Sequence, residues 1–265
     1  MRVLVTGAAG SIGRVVAAGL TAAGHAVRGL DLVEADARGC SLGVLVGDCT
    51  QPATVNPAVD GVDAVVHLAG RPDESALADE LTSHVTTTAT ILDAMVEHGV
   101  SRIVYASSNH AVGMHERAPL LGTDVRPRPD TFYGVAKVAA EALLSLYADR
   151  HGIEAVCLRI GSFLERPTSV RGLSTWLSHE DCVRLVRAAC TSPTAAAGGS
   201  FAVVYGISAN TRGWWDLAPG RALGYQPLDD AEVHAGDIAS RPDDEVEGAR
   251  VGGPMAAPDG NRASR

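Results

Sequence analysis

The stretch Val5–Gly13, "VTGAAGSIG", decides the fold. It leaves an apolar run, "RVLV", and enters a helix-like pattern at Ser11–Ala23. Gly7, Gly10 and Gly13 give a GxxGxxG spacing. In a strand–turn–helix setting the first glycine allows the tight turn. The second lets backbone approach a pyrophosphate, and the third lets helix pack closely on strand. The helix start offers unpaired N–H groups and the positive end of its dipole. Gly7, Gly10, Ser11, Ile12 and Gly13 are therefore candidate dinucleotide-binding residues.

Outward from this turn, short apolar runs alternate with helical patterns. The runs are "RVLVTG", "AVRGLDL", "LGVLVGDC", "AVVHLAG", "RIVYASS", "AVCLRIGS" and "FAVVYGIS". They are Val-, Ile- and Leu-rich with little alternation, the mark of parallel strands covered on both faces. Helical patterns cover Ser11–Ala23, about Leu77–His98, Tyr133–His151 and about His179–Cys190, the last capped by Ser178 with Asp181 at its third position. This rhythm predicts an α/β fold, a Rossmann-type doubly wound parallel sheet. One domain is expected over residues 1–239. A small C-terminal substrate-side lobe would be drawn from about 161–178 and 206–239. Residues 240–265 are rich in Pro, Gly and charge and read as a flexible tail.

Composition narrows the function classes. The 265 residues carry 31 acidic against 22 basic side chains, a net charge of -9, which argues against nucleic acid as a partner. No apolar run approaches the roughly 18 residues of a membrane span. The strand-like start of the sequence predicts no signal peptide. Five scattered cysteines without a CxxC pair suit a reducing compartment, so a cytoplasmic location is expected. Nine histidines show no HExxH spacing, and no metal site is expected.

The second run ends in Asp31, eighteen residues after Gly13. A carboxylate there accepts hydrogen bonds from the adenosine ribose hydroxyls and repels a 2′-phosphate, which favours NAD over NADP, although Arg28 and Arg38 lie nearby. Asp48, in "GDCT", is placed either to meet the adenine amino group or to hold a turn. Leu68, Ala69 and Gly70 end the fourth run, where small residues leave room for a cofactor lying across the strand ends.

"YGVAK" places Tyr133 and Lys137 on one helix face, about 5–6 Å apart at Cβ. A neighbouring ammonium, helped by the positive nicotinamide ring, is expected to lower the phenol from its ordinary value near 10 and fit it as a general base. Upstream, "SSNH" puts Ser108, Asn109 and His110 at the carboxyl end of the fifth run, the edge where ligands bind in open α/β sheets. Ser108 can then hydrogen-bond the oxygen that Tyr133 deprotonates. Tyr133 and Lys137 would also contact the cofactor. Trp214 and Trp215 read as packing anchors or an aromatic wall, and Arg159 as half of a structural ion pair.

Together these motifs resemble the extended short-chain dehydrogenase/reductase (SDR) superfamily, and more closely its NAD-dependent uronate dehydrogenases. The resemblance runs to about Val233. It rests on "VTGAAGSIG", "ASSNHAVG", "RPDTFYGVAK", "LRIGS", "RGLSTWLSHED" and "SANTRGWWD". It implies oxidation of the C1 hydroxyl of D-glucuronate or D-galacturonate to the aldarolactone, with hydride transfer to NAD. It further implies that Ser108, Asn109, His110, Ser162 and Arg171 bind substrate. Arg171 would face the carboxylate, for which a planar guanidinium is suited. A homo-oligomer is implied as well. The resemblance departs at two places: His84 stands where an asparagine is usual, and Arg71 and Pro72 stand where a substrate-contacting serine is usual, with Ser75 as a displaced substitute. A sugar epimerase or 4-keto reductase of the same superfamily, and a dinucleotide-sensing protein without chemistry, are the alternatives.

Overall fold

The protein is described by a computed structural model covering residues 1–34, 39–197 and 199–257. Arg38 lies outside the described residues. All seven predicted runs are strands of one parallel sheet: β1 (Arg2–Thr6), β2 (Ala26–Asp31), β3 (Val44–Val46), β4 (Ala64–His67), β5 (Arg102–Ser108), β6 (Glu154–Ile160) and, after a small two-stranded sheet, β9 (Phe201–Gly206). Their order is β3-β2-β1-β4-β5-β6-β9. The chain runs outward from β1 to β3, then crosses back to place β4 on the other side of β1. Connections therefore diverge above the carboxyl ends of β1 and β4, and the crevice left there is where such sheets take ligands.

The sheet is buried on both faces because successive side chains of a strand point to opposite sides. Val3 and Val5 face one core with Val16 and Leu20 of α1 (Ser11–Ala22). Leu4 faces a second core, filled from α2 (Pro52–Val59) by Val55 and from the helix of Ile91, Leu92 and Met95. That helix begins as α3 (Leu77–Glu80), widens into a π turn at Leu81–Thr86 and continues as α4 (Thr87–His98). The 20-residue α5 (Phe132–His151) covers the same face. The short α2, with Pro57 inside it, escapes the sequence reading because its apolar pattern spans only two turns.

The segments after β6 are irregular. β7 (Ser162–Phe163) pairs with β8 (Trp176–Leu177), joined through α6 (Gly172–Thr175), and α7 (His179–Thr191) returns to the sheet. Ser178 caps α7 as predicted, accepting the Asp181 N–H at 2.9 Å. α8 (Ala218–Ala222) and α9 (Asp244–Ala249) follow β9.

Part of the expected tail from Ser240 is packed: α9 buries none of its residues, but Val251–Gly253 and Ala256 are buried. Val251 is fully buried in a cluster with Trp214, Trp215 and Tyr205. Low mean hydropathy over this segment conceals a few small or apolar residues that meet a hydrophobic surface made elsewhere in the chain. The reading of residues 258–265 as tail lies outside the described residues.

Candidate active site

The glycine-rich turn has the geometry its spacing implies. Gly7 has φ +68°, and a Cβ there would stand 2.8 Å from the Ala69 nitrogen. A Cβ on Gly13 would overlap the Gly7 carbonyl, so α1 lies directly on the turn. α1 starts without a side-chain cap and without an acidic residue in its first turn, which leaves its leading N–H groups open to an anion. Asp31 accepts the Ala9 N–H at 2.8 Å and lines a cavity of about 670 Å³ with Gly7, Gly10, Asp48, Leu68, Ala69 and Gly70. Arg28 points away from this cavity, donating to the Pro57, Ala58 and Asp60 carbonyls. Among the described residues it offers nothing to a 2′-phosphate. Asp48 holds a turn by accepting the Thr50 N–H at 2.8 Å, while also facing the cavity. The residues present thus fit a dinucleotide with a free adenosine ribose.

A second cavity, about 320 Å³, continues from this turn. Gly7, Gly10, Ser11, Ile12 and Gly13 line it on one side, and Ser108, Tyr133 and Lys137 on the other. α5 delivers the last two. Thr131 caps it, accepting the Gly134 N–H at 2.8 Å, and the Glu74 carboxylate accepts the N–H groups of Phe132 and Tyr133 at 2.9 and 3.0 Å. Lys137 is held by donation to the Ala106 carbonyl at 2.7 Å, with its Nζ 5.2 Å from the Tyr133 ring centre.

The electrostatics differ from the expectation drawn from spacing. Burial pushes the Tyr133 phenol up to about 12, with Ser108 beside it pulling the other way and Glu80 adding to the rise. Burial likewise pulls Lys137 down to about 7, opposed by Glu80 and Glu141. The ammonium spends its nearest hydrogen bond on a carbonyl rather than on the phenol, so desolvation governs both groups in the chain by itself.

The four other predicted substrate residues do not line this cavity; they form a neighbouring group. The Asn109 side chain donates to the Val251 carbonyl at 3.2 Å. His110 Nδ1 faces both oxygens of buried Asp130 at 3.0 Å, and its ring stands 6.0 Å from that of Tyr133. The Ser162 hydroxyl pairs with that of Thr175 at 2.9 Å. Arg171 Nη2 donates to the Val251 carbonyl at 2.6 Å, while its Nε is buried without a partner.

Two departures from the family pattern converge. His84, in the π turn, packs edge-on against Tyr133 at 5.1 Å and places Nε2 3.1 Å from the Arg71 carbonyl and 3.3 Å from Glu80. Ser75 is committed to the other Glu80 oxygen at 2.7 Å. Glu80, fully buried near Tyr133 and Lys137, was not among the predicted residues, because nothing in "SALADE" marks a buried carboxylate. Asp130 and Glu74 escaped for the same reason.

His84 has a measurable signature. Burial, then Lys137 and His67, lower it from 6.5 to about 2, and burial and Lys137 lower His67 from 6.5 to about 3. As pH falls below 6.5, the unfolded chain takes up protons at both imidazoles that the folded chain refuses, so stability falls through that window. His84→Asn is expected to flatten the fall in urea midpoint of the cofactor-free protein between about pH 7 and pH 5. An unchanged slope would show that His84 titrates normally in the fold.

Known proteins agree with this geometry. The model of the NAD dependent epimerase/dehydratase family matches residues 3–165. A uronate dehydrogenase of Pseudomonas putida is 36% identical over 91% of this chain and 89% of its own length. An NAD-dependent glucose-6-phosphate dehydrogenase of Haloferax volcanii is 40% identical over 71% of this chain and 76% of its own. A crystal structure of an Agrobacterium tumefaciens uronate dehydrogenase mutant in complex with NAD superposes with a TM-score of 0.88 at 36% identity, covering 96% of each chain. With its glycine turn, Asp31 and Ser108–Tyr133–Lys137 set in place, the chain belongs to the NAD dependent epimerase/dehydratase family of extended short-chain dehydrogenases, on the branch of the uronate dehydrogenases.

Proposed function

We propose that the protein is an NAD-dependent uronate dehydrogenase, oxidising the C1 hydroxyl of D-glucuronate or D-galacturonate to the aldarolactone. The observation that carries this reading is the single cavity shared by the glycine-rich turn and Ser108, Tyr133 and Lys137. The relatives support the substrate class. Uronates and glucose 6-phosphate, the compounds in their names, are both hexose derivatives with an anion at C6. Arg171, a planar guanidinium held by the Val251 carbonyl in the group beside this cavity, suits such an anion.

In this reading the sugar lies with C1 at Tyr133 and C6 at Arg171. Tyr133 takes the proton from the C1 hydroxyl, and Ser108 hydrogen-bonds the oxygen as its charge develops. Lys137 holds a cationic or polar group below the phenol and faces the nicotinamide ribose. NAD⁺ supplies, when bound, the acceptor for the C1 hydride and a positive ring beside the phenol. Because C1 is a hemiacetal carbon, its oxidation leaves a ring ester, the lactone. Asn109, His110 and Ser162 bind sugar hydroxyls. No helix among the described residues is long and apolar enough to cross a membrane. We place the enzyme in the cytoplasm as a homo-oligomer; its five described cysteines are all unpaired and buried, as suits a reducing compartment.

The test is direct. Mixing the protein with NAD⁺ and D-galacturonate or D-glucuronate is expected to produce NADH absorbance, with D-glucose and glucose 6-phosphate far poorer. Absence of net NADH with either uronate would overturn the reading.

A further inference from the structure

The segment around Val251 meets two of the residues assigned to the substrate, Asn109 and Arg171, and the carboxylate that orients a third, His110. The Val251 carbonyl accepts from both Asn109 and Arg171, at 3.2 and 2.6 Å. One oxygen with two lone pairs thereby fixes two side chains from distant parts of the chain. A Cβ on Gly252 would overlap the Asp130 carboxylate, which orients His110. Gly253, at φ +63°, lies directly under the Arg171 guanidinium, where a Cβ would overlap Nε.

The segment is firmly anchored. The Arg117 N–H donates to the Ala249 carbonyl at 3.0 Å. The Val251 and Gly252 N–H groups donate to the His115 and Gly113 carbonyls, at 3.0 and 2.9 Å. The Val251 side chain is sealed among Val112, Tyr205, Trp214 and Trp215. These contacts fix the backbone against the chain that follows the Ser108–His110 turn. The carbonyl is therefore a preset acceptor rather than a wandering one.

Arg171 is the informative partner. A guanidinium has five N–H donors and cannot lose its charge. Val251 takes one of them. The Nε–H is buried with no acceptor from the chain, and such a donor is costly until it is paired. Glycine at 253 serves two ends: it permits the left-handed backbone, and it keeps a methyl group away from Nε.

We infer that residues Arg250–Gly253 form a positioning element for the acid group of the substrate, in which the Val251 carbonyl and the bare Gly253 backbone fix the Arg171 guanidinium in the orientation from which it clamps the sugar carboxylate. This rests on the reading of Arg171 as the carboxylate clamp and extends it to a segment with no reacting group of its own. Val251 and Gly253 act through Arg171 and Asn109; they are positioning residues.

The experiment uses the full chain with NAD⁺ and compares Gly253→Ala, Val251→Ala, Arg171→Ala and the Gly253→Ala/Arg171→Ala double variant. Gly253→Ala is expected to raise KM for D-galacturonate about tenfold or more, the range of a lost charge-assisted hydrogen bond, with the loss carried by KM rather than kcat and KM for NAD⁺ at the wild-type value. Val251→Ala keeps the carbonyl but loosens its anchor. It is expected to shift KM the same way by a smaller factor, and it decides the matter if Gly253→Ala fails to fold. In the Arg171→Ala background Gly253→Ala is expected to add nothing. An unchanged or lowered KM in both single variants, with Arg171→Ala impaired, overturns the inference and leaves the clamp standing; a lowered KM would mean that the segment competes with substrate. Full additivity in the double variant also overturns it. If Arg171→Ala itself leaves KM unchanged, the clamp reading fails and the inference falls with it.

Discussion

Tyr133→Phe is expected to lower kcat for uronate oxidation by about 10²–10⁴, the range that a positioned acid–base group contributes. The cofactor is expected to bind as before, because the phosphate and ribose ends rest on the glycine turn and Asp31. The substitution removes only the phenolic oxygen. The ring remains between His84 and His110, at 5.1 and 6.0 Å, so packing is preserved. Ser108, already beside the phenol, keeps its place through the His110 N–H at 3.2 Å. The checks are steady-state turnover and NADH affinity by fluorescence. Turnover within tenfold of wild type would remove Tyr133 as the base. Because burial holds the phenol near 12 in the chain alone, the wild-type oxidation is further expected to speed up as pH rises through the neutral range.

Arg159→Met is expected to cost about 3–5 kcal/mol of stability, the penalty for removing one member of a buried ion pair. Arg159 grips Glu141 with two parallel hydrogen bonds, Nε to Oε1 at 3.0 Å and Nη2 to Oε2 at 2.8 Å. A third goes to the Thr123 carbonyl. Ser107 donates to the same Glu141 oxygen at 2.5 Å. Both charged side chains are nearly inaccessible. Without Arg159 the carboxylate remains buried with one hydroxyl bonded to it, the nearby Lys137 being bonded to the Ala106 carbonyl instead. At about 2–4 °C per kcal/mol for a chain of this size class, Tm is expected to fall by roughly 10 °C. A change under about 1 kcal/mol would mean that Glu141 becomes protonated or that water reaches it. The double variant Arg159→Met/Glu141→Leu is expected to recover much of the loss.

The nucleotide end of the molecule was legible because its constraints are local. Three glycines, an uncapped helix start and a strand-end carboxylate sit within one βαβ unit, and each is a property of a few consecutive residues. The seven strands were legible because burial on both faces leaves an unbroken apolar signature. The group around His110 and Arg171 was not, because it is assembled across the chain. Asp130 meets His110 twenty residues away, and Val251 meets Arg171 eighty residues away. The segment carrying Val251 looked too polar to order, yet its anchor is a pair of tryptophans whose own surface the sequence could not map. The Tyr133–Lys137 spacing told which groups would meet. It did not tell how dry their surroundings would be, and dryness sets the sign of both titration shifts.

The wide turn at Leu81–Thr86 has a consequence for how this helix is phased. Within it His84 lines the crevice, with buried Glu80 just before it; after it, Ile91, Leu92 and Met95 look into the core. A uniform spiral advancing about 100° per residue would bring one of those two sets out of alignment. The extra residue acts as a gear change, letting a single rod serve the reaction chamber at one end and the hydrophobic interior at the other.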